Sequence, residues 1–137
     1  MAATHPYRPL PHRSDLNRPY YEAARRHQLV AQRCHDCGNW FAPADAACTR
    51  CFSTHWSWQQ SSGRGRIYSF SAMHRVLPGF PSPTFYAVVE LEEGFAMFTN
   101  IIDCQEADLE CELPVEVSFE DITDELSLPM FRLTRAH

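Results

Sequence analysis

The sequence predicts a mainly β protein in which a short N-terminal helix and a four-cysteine ribbon precede a five-stranded barrel. Three observations predict this arrangement. Four cysteines fall as C-x2-C-x10-C-x2-C, five short strand-like segments follow a small-residue stretch after residue 60, and helix-start signals precede the cysteines. With 137 residues, of which 45% are hydrophobic and 21% charged, the chain is globular and holds one domain or two very small ones.

The N-terminal region is predicted to contain an extended, flexible arm followed by a helix. Residues 1–15 form the arm, because three prolines lie there among polar and basic residues. The helix begins after Asn17, a favourable N-cap, carries Pro19 in its first turn and ends near His27. Residues 16–61 therefore combine this helix with the cysteine ribbon.

The cysteine spacing predicts one metal site. Each CxxC turn directs two sulfurs inward, and two such turns complete a tetrahedral thiolate site that leaves no open position for a substrate. Because thiolates are soft ligands, zinc and a single iron both fit, and we expect one structural Zn²⁺ ion. The predicted ligands are Cys34, Cys37, Cys48 and Cys51. Cys104 and Cys111 stand apart and are expected to be ordinary packed or surface thiols.

Residues 62–137 are predicted to form the barrel. The segment Ser61–Gly65 marks the boundary, because small and glycine-rich residues interrupt the periodicities on either side. The first strand alternates over residues 66–75. The residues expected on one of its faces are Tyr68, Phe70, Ala72 and His74.

Four more strands complete the predicted barrel. They lie at residues 85–91, 95–102, 115–119 and 130–133, and a proline-rich loop at 77–83 precedes the first of them. Closing five short strands removes exposed sheet edges. The pattern alone leaves an OB-type and an SH3-like barrel both open.

Charge is distributed unevenly along the chain. All twelve basic side chains are arginines, and the absence of lysine excludes a Walker-type phosphate loop and a lysine nucleophile. Residues 1–75 hold ten arginines against four carboxylates, whereas residues 76–137 hold two against thirteen. The basic first half could hold a compact anion, but the net charge of −5 does not favour a general nucleic-acid binder.

The hydrophobic pattern favours the cytoplasm. The longest apolar run, residues 85–89, is far too short to span a membrane, and the N-terminus lacks the hydrophobic segment of a signal peptide. We therefore expect a cytoplasmic protein that has no membrane partner.

Several short motifs, taken together and in their order, resemble one known family. They are Gln32-Arg33-Cys34-x-x-Cys37-Gly38, Cys48-x-x-Cys51, Ser62-Gly63-Arg64-Gly65-x-Ile67-Tyr68-Ser69-Phe70, Val89-Glu90-Leu91-x-x-Gly94, Pro114-Val115-Glu116-Val117-x-Phe119 and Leu128-Pro129-x-Phe131-Arg132. The family comprises acyl-CoA-associated proteins that join a rubredoxin-like zinc ribbon to an OB-fold, so the resemblance implies an OB-type barrel. The sequence departs from the family pattern at Phe52 and Glu112, two positions where glycine is common.

The resemblance also implies a function. Family members often serve as accessory subunits or fused domains of thiolase-like enzymes, including retro-aldolases of steroid side-chain degradation, or of MaoC-type enoyl-CoA hydratases. We therefore expect a non-catalytic subunit that docks on a thiolase-like enzyme and helps to bind acyl-CoA. A MaoC-type hydratase is the alternative partner. A nucleic-acid module is the alternative of another class. The strongly acidic second half of the chain counts against it, and fold alone does not confer function.

Candidate contact residues follow from that expectation. Arginine donates two parallel hydrogen bonds to a phosphate, so arginines beside the ribbon and around the first barrel strand are candidates for coenzyme A, together with one histidine. These residues are Arg33, Arg50, Arg64, Arg66, His74 and Arg75. Tyr20 and Phe80 are candidates for partner docking. The alternatives are solvated surface charges for the arginines, a barrel position for His74 and a loop that covers the barrel mouth for Phe80.

Catalysis by this chain alone is not expected. The sequence shows no nucleophile–base spacing, and the four-cysteine site is closed. The chain is instead expected to be a required subunit of an acyl-CoA lyase or acyltransferase complex, whose reacting residues belong to the partner.

Overall fold

A computed structural model describes residues 10–75, 78–80 and 82–134. Most of the predicted N-terminal arm, residues 1–9, lies outside these ranges, as do positions 77 and 81 of the proline-rich loop. The elements are α1 (Arg18–Arg25), β1 (Val30–Cys34), β2 (Trp40–Phe41), β3 (Trp56–Gln60), β4 (Arg64–Met73), β5 (Thr84–Leu91), β6 (Ala96–Ile102), a 3-10 turn (Glu106–Asp108), β7 (Pro114–Asp121) and β8 (Ser127–Leu133).

Helix α1 starts where the sequence predicts and ends two residues early. Asn17 precedes the helix, but its side-chain oxygen accepts a hydrogen bond from the Ser14 N–H at 2.7 Å and so closes the turn before the helix. Ala23 and Ala24 are buried. His27 adopts a φ of 57°, which ends the helical conformation. No helix in the described part of the chain is long and apolar enough to cross a membrane.

The ribbon is a three-stranded antiparallel sheet. Its strand order is β2-β1-β3, so β1 is the central strand. β1 is buried at Ala31 and Gln32 and ends at Cys34, the first predicted ligand. The central strand of the ribbon therefore leads directly into the metal site.

The second sheet is a closed barrel of five strands in the order β4-β5-β6-β8-β7. All its pairs are antiparallel except β6–β8, where Ile101 lies opposite Phe131 in a parallel pair. This architecture confirms the predicted mainly β fold with a five-stranded OB-type barrel. The buried core joins Leu29 and Ala31 of the ribbon side to Ile67, Phe85, Ala87, Val89, Leu91, Phe95, Ile101, Leu109, Val115 and Phe131. The ribbon and the barrel therefore share one core.

Strand β4 differs from the predicted alternation. Its register with β5 shifts between Ile67 and Ser69, so Tyr68 is an extra residue in the ladder. Ile67 is fully buried, whereas Tyr68 and Phe70 are 58% and 38% exposed. The prediction of one regular face through Tyr68 is therefore wrong, because a bulge cannot be read from a period-2 pattern.

The segment predicted as a boundary is firmly held between the two sheets. The Ser61 N–H donates to the Leu29 carbonyl at 2.8 Å, while the Ser61 hydroxyl and the Ser62 N–H each donate to the Glu93 carboxylate at 2.7 Å. Burial alone would raise the pKa of Glu93, but these hydrogen bonds outweigh it and lower the pKa. Glu93 thus fastens the segment to the β5–β6 turn.

Close backbone packing at the start of β4 requires glycine. A Cβ atom on Gly65 would lie 2.3 Å from the carbonyl oxygen of Glu90 on the neighbouring strand. That oxygen belongs to the backbone ladder and cannot move without disturbing the pairing of β4 with β5.

Gly65→Ala is therefore expected to destabilise the protein by roughly 1–3 kcal/mol, the usual cost of forcing an extra group into a packed site. Urea unfolding of the metal-loaded chain measures this loss. Ser71→Ala, at an exposed position of the same strand, is the matched control and should leave the midpoint unchanged. An unchanged midpoint for Gly65→Ala would contradict the steric argument.

Candidate metal centre and ligand surfaces

The structure brings the four predicted sulfurs together. All four Sγ atoms lie within 4.8 Å of one another, and the Cys34–Cys51 and Cys37–Cys48 sulfur pairs are 3.6 Å apart. Cys34 and Cys48 are buried, whereas Cys37 and Cys51 are exposed. None of the four forms a disulfide. The cluster therefore has one protected side and one side that faces solvent.

The two CxxC turns share one backbone geometry. The Gly38 N–H donates to the Cys34 carbonyl at 3.0 Å, and the Phe52 N–H donates to the Cys48 carbonyl at the same distance. Gly38 has a φ of 76° and Phe52 a φ of 64°. Phe52, one of the departures from the family pattern, thus takes the left-handed conformation that glycine adopts at little cost, and its side chain is 78% exposed.

The four sulfurs influence one another's ionisation. Burial opposes ionisation of Cys48, but backbone N–H groups of Cys51 and Arg50 outweigh it and lower the pKa of Cys48 to about 6. For Cys51, a backbone hydrogen bond from Ser53 is outweighed by burial and by the other sulfurs, which raise the pKa to about 12. A thiolate at one cysteine thus disfavours ionisation of a neighbouring one, and a bound cation would offset the charge of the four thiolates.

The donor set fits zinc. A Zn–S bond of about 2.3 Å places the sulfurs of a tetrahedron about 3.8 Å apart, close to the spacing of the two sulfur pairs described above. Donors also approach the Cys48 sulfur, namely the Arg50 N–H at 3.3 Å and the Asn39 side-chain amide at 3.6 Å. These donors offset part of the negative charge of four thiolates. With four protein ligands the site would be closed, so it suits a structural ion.

Gln32 is a site-building residue that the sequence analysis did not single out. Its side chain is fully buried and makes two hydrogen bonds to the backbone of Asp45, donating to the carbonyl at 2.6 Å and accepting from the N–H at 2.8 Å. Gln32 thereby ties β1 to the loop before the second CxxC turn. Its position two residues before Cys34 is the only sequence signal for this role.

Three of the candidate coenzyme A residues are ion-paired within the chain. Arg64 makes two hydrogen bonds of 3.2 Å to Glu92. Arg66 lies 2.9 Å from the Glu112 carboxylate and 3.4 Å from that of Glu90. A third pair joins His74 to Glu106 at 2.9 Å. Each of these three side chains therefore already contacts a carboxylate of the same chain.

The other three arginines have no such pair. Within the described residues, no carboxylate lies within 4.0 Å of the side chains of Arg33, Arg50 or Arg75. The Arg33 guanidinium lies over the Trp40 ring at 5.5 Å from its centroid, a cation–π contact that orients it. Arg33 and Arg50 are both exposed beside the ribbon, whereas Arg75 follows the far end of β4.

The candidate arginines do not all converge on one cleft. Arg64 begins β4 and Met73 ends it, so the two ends of the strand are at most about 30 Å apart at ~3.3 Å per residue, and His74 and Arg75 follow beyond Met73. The structure thus separates the candidates into a ribbon group, a group at the start of β4 and a group beyond its end.

The two candidate docking residues lie at opposite ends of the barrel wall. Tyr20 packs against the core, contacts Tyr21 edge-to-face at 5.1 Å and lines a groove with Met97 and Phe98. Burial raises the pKa of Tyr20. Phe80 lines a cavity of about 560 Å³ together with Cys104 and other residues of β5, β6 and their neighbours. Cys104 is half-buried and Cys111 exposed, as expected for thiols outside the metal site.

A histidine, an aspartate and a serine meet at the junction of helix and barrel. His27 Nε2 lies 3.0 Å from Asp121 Oδ1 and its ring stacks on Phe119 with centroids 5.2 Å apart. The Ser127 hydroxyl donates to the same Asp121 oxygen at 2.5 Å, and both contacts lower the pKa of Asp121. Because the serine bonds to the carboxylate and not to the imidazole, this group fastens the helix and is no nucleophile–base pair.

Comparisons with known proteins match both parts of the chain. Residues 22–57 match the ChsH2 rubredoxin-like zinc ribbon domain and residues 58–120 the ChsH2 C-terminal OB-fold domain. A probable enoyl-CoA hydratase alpha subunit of Thermomonospora curvata is 35% identical over 126 residues. The match covers 91% of this chain but only 40% of that subunit, so this chain spans less than half the length of that relative.

Two further similarities extend over most of both chains. A DUF35 domain-containing scaffold protein of Methanocaldococcus jannaschii is 30% identical over 111 residues, which cover 79% of each chain. A chain in the solved structure titled Ltp2-ChsH2(DUF35) aldolase is 33% identical and superposes with a TM-score of 0.83, covering 90% of this chain and 98% of its own.

Cys48→Ser is expected to abolish stoichiometric zinc binding, because it removes a buried ligand whose sulfur also accepts two hydrogen bonds. Elemental analysis and tryptophan fluorescence measure the loss of metal and the exposure of Trp56, which packs against the cluster. Cys111→Ser, at an exposed cysteine outside the cluster, is the control and should keep one zinc ion per chain. Full zinc content in Cys48→Ser, or iron in the wild type, would contradict the structural-zinc assignment.

Phe52→Gly is expected to stabilise the chain by about 1 kcal/mol. A side chain in the left-handed region costs about 1–2 kcal/mol, and the greater backbone entropy of glycine in the unfolded chain offsets part of the gain from removing it. Thermal unfolding of the zinc-loaded protein measures the gain. Phe52→Ala removes the exposed ring but keeps a Cβ, so it should gain less. Equal gains for the two variants would assign the cost to the ring and not to the backbone.

Proposed function

Because this chain belongs to the DUF35 family, with its ChsH2-type zinc ribbon and OB-fold, we propose that it is a non-catalytic accessory subunit of an acyl-CoA enzyme. It docks on a thiolase-like enzyme, a thiolase or a retro-aldolase that could act in steroid side-chain degradation, and helps to seat the acyl-CoA. The observation that carries the proposal is the similarity along almost the whole chain to a subunit of a ChsH2(DUF35) aldolase.

The chemistry of the described residues supports a non-catalytic role. Four cysteines close the metal site, so a bound zinc ion would stabilise the ribbon and offer no position to a substrate. The His27–Asp121–Ser127 group is engaged in joining the helix to the barrel. The reacting groups therefore belong to the partner enzyme.

The ribbon is the better candidate for the phosphates of coenzyme A. Arg33 and Arg50 are exposed and have no carboxylate partner, and Arg33 is held in place by Trp40. Phosphate binding by Arg64, Arg66 or His74 would first have to displace Glu92, Glu90, Glu112 or Glu106. We propose that Arg33 and Arg50 make the main contacts, and that Arg64, Arg66, His74 and Arg75 contribute less.

Partner docking is proposed to involve the two aromatic residues named from the sequence. Phe80 lines the rim cavity of the barrel, and Tyr20 exposes part of its ring beside the Met97–Phe98 groove. An aromatic side chain held by its surroundings loses little entropy when it is covered by a partner. Both positions are therefore suited to an interface.

An enoyl-CoA hydratase of the MaoC type is the second candidate partner. The observation that favours it is the 35% identity to part of a probable hydratase alpha subunit. A nucleic-acid function has no comparable support, because Arg64, Arg66 and Arg132 of the barrel are each paired with a carboxylate.

The test begins with the tagged chain purified from its native host at low salt and the identification of any stoichiometric partner. Calorimetric titration of that complex with coenzyme A then compares two double variants. Arg33→Ala/Arg50→Ala is expected to weaken binding by roughly tenfold or more, the scale of one or two charge-assisted hydrogen bonds. Arg64→Ala/Arg66→Ala should weaken it by less than about threefold, because exposed arginines that already contact carboxylates gain little from a further anion.

The control is Arg132→Ala, which removes an ion-paired arginine of the last barrel strand. It should leave the affinity for coenzyme A unchanged. Recovery of the chain without any acyl-CoA enzyme would contradict the accessory-subunit proposal. An intact complex in which the Arg33/Arg50 variant binds coenzyme A like the wild type would remove the ribbon arginines from the site.

A further inference from the structure

One half of strand β4 has a partner on one side only. The first half of β4 pairs with β7 through Arg64–Arg66. The last hydrogen bonds on that side are made by Ile67. Its N–H donates to the Leu113 carbonyl at 3.0 Å, and its carbonyl accepts from the Glu112 N–H at 2.7 Å. Beyond the bulge, Ser69–Met73 pairs with β5 alone. Among the described residues, no other backbone segment bonds to this edge.

The residues along this edge are exposed or half-buried, and none of them is charged. Ser69, Phe70, Ser71 and Met73 are all exposed, and Ala72 is half-buried. Soluble proteins commonly protect a bare edge with charged residues, proline or a covering segment, since unpaired N–H and C=O groups invite another strand. Ser69–Met73 has neither a charge nor a proline.

We infer that this edge pairs with the same edge of a second copy of the chain, forming a symmetric dimer with a continuous antiparallel sheet. The lack of charge is what favours a second copy as the occupant. Identical charged strands would repel one another, whereas two uncharged copies of Ser69–Met73 face each other without like-charge contacts. This inference concerns the isolated chain and does not depend on the proposed function.

The geometry of the sheet selects the register. In an antiparallel pair, residues directly opposite each other have side chains on the same face of the sheet. When the two strands are identical and related by a two-fold axis, the residue at the axis therefore lies opposite the same residue of the second copy. Only a centre at Ser71 pairs all of Ser69–Met73. It places Phe70 opposite Ala72 and Ser69 opposite Met73 of the second copy. A centre at Phe70 would instead require His74 of the second copy opposite Arg66, where Pro114 of β7 already lies.

The test uses the residue that faces itself. In Ser71→Glu and in Ser71→Arg, two like charges would meet at the two-fold axis, so each variant is expected to raise the dimer dissociation constant by roughly tenfold or more. An equimolar mixture brings the introduced carboxylate opposite the introduced guanidinium. It should restore dimers, specifically mixed ones, to within about threefold of the wild-type affinity.

Sedimentation velocity between about 1 and 300 µM, a range that brackets weak dimers, and native mass spectrometry measure these species, since the two variants differ in mass. Zinc content and circular dichroism confirm that each variant is folded. Ser69→Glu mixed with Ser69→Arg is the matched control. Residue 69 lies opposite Met73 of the second copy and not opposite residue 69. Mixing the two Ser69 variants should therefore not raise the dimer affinity above that of either variant alone.

Two results would overturn the inference, and a further measurement identifies the alternative occupant of the edge. A wild-type chain that stays monomeric over the whole concentration range excludes self-pairing. Should the monomeric chain lose its acyl-CoA enzyme partner on Ser71→Glu, the edge belongs to a strand of that partner. Dimers unaffected by either Ser71 substitution would place the dimer contact elsewhere on the surface.

Discussion

The fold depends on β1, which belongs to the metal site at one end and to the common core at the other. Cys34 at its end is a sulfur ligand, Gln32 holds the loop before the second CxxC turn, and Ala31 lies in the barrel core. The ribbon's own buried cluster is small, consisting of Cys34, Phe41 and Cys48 with Trp56 against it. Such a cluster is too small to order the ribbon, so the ribbon depends on its metal on one side and on the barrel on the other.

Charge segregation along the sequence becomes charge neutralisation in the structure. The barrel carries most of the acidic residues, and Arg64, Arg66 and Arg132 are paired with them, whereas Arg75 beyond the end of β4 is not paired within the described part of the chain. The ribbon arginines lack such neighbours. Among the described residues, Arg33 and Arg50 therefore keep unpaired positive charge beside the four-cysteine cluster.

Local signals in the sequence predicted the helices and strands, but they did not predict contacts between residues that are distant in the sequence. The two CxxC turns and the hairpin at Gly94 are encoded within a few residues, which is why the clustering of the four cysteines and most strands were predicted correctly. The bulge at Tyr68 depends on the register with β5, and the Arg66–Glu112 pair depends on a connection that returns after 46 positions. His27 and Asp121, 94 residues apart, meet only because the helix packs on the barrel. Such contacts require the whole topology and leave no periodic trace.

The hydrogen bonds of Glu93 to Ser61 and Ser62 affect how the ribbon is positioned relative to the barrel. A linker of serine and glycine is ordinarily flexible. Here the Ser61 hydroxyl and the Ser62 N–H are hydrogen-bonded, Gly63 is packed against Val117, and Gly65 is packed against Glu90. These contacts and the shared core therefore restrain the ribbon against the barrel. A group held at the ribbon and a surface bound at the barrel are kept at a constant separation, so the chain acts as a spacer of set length.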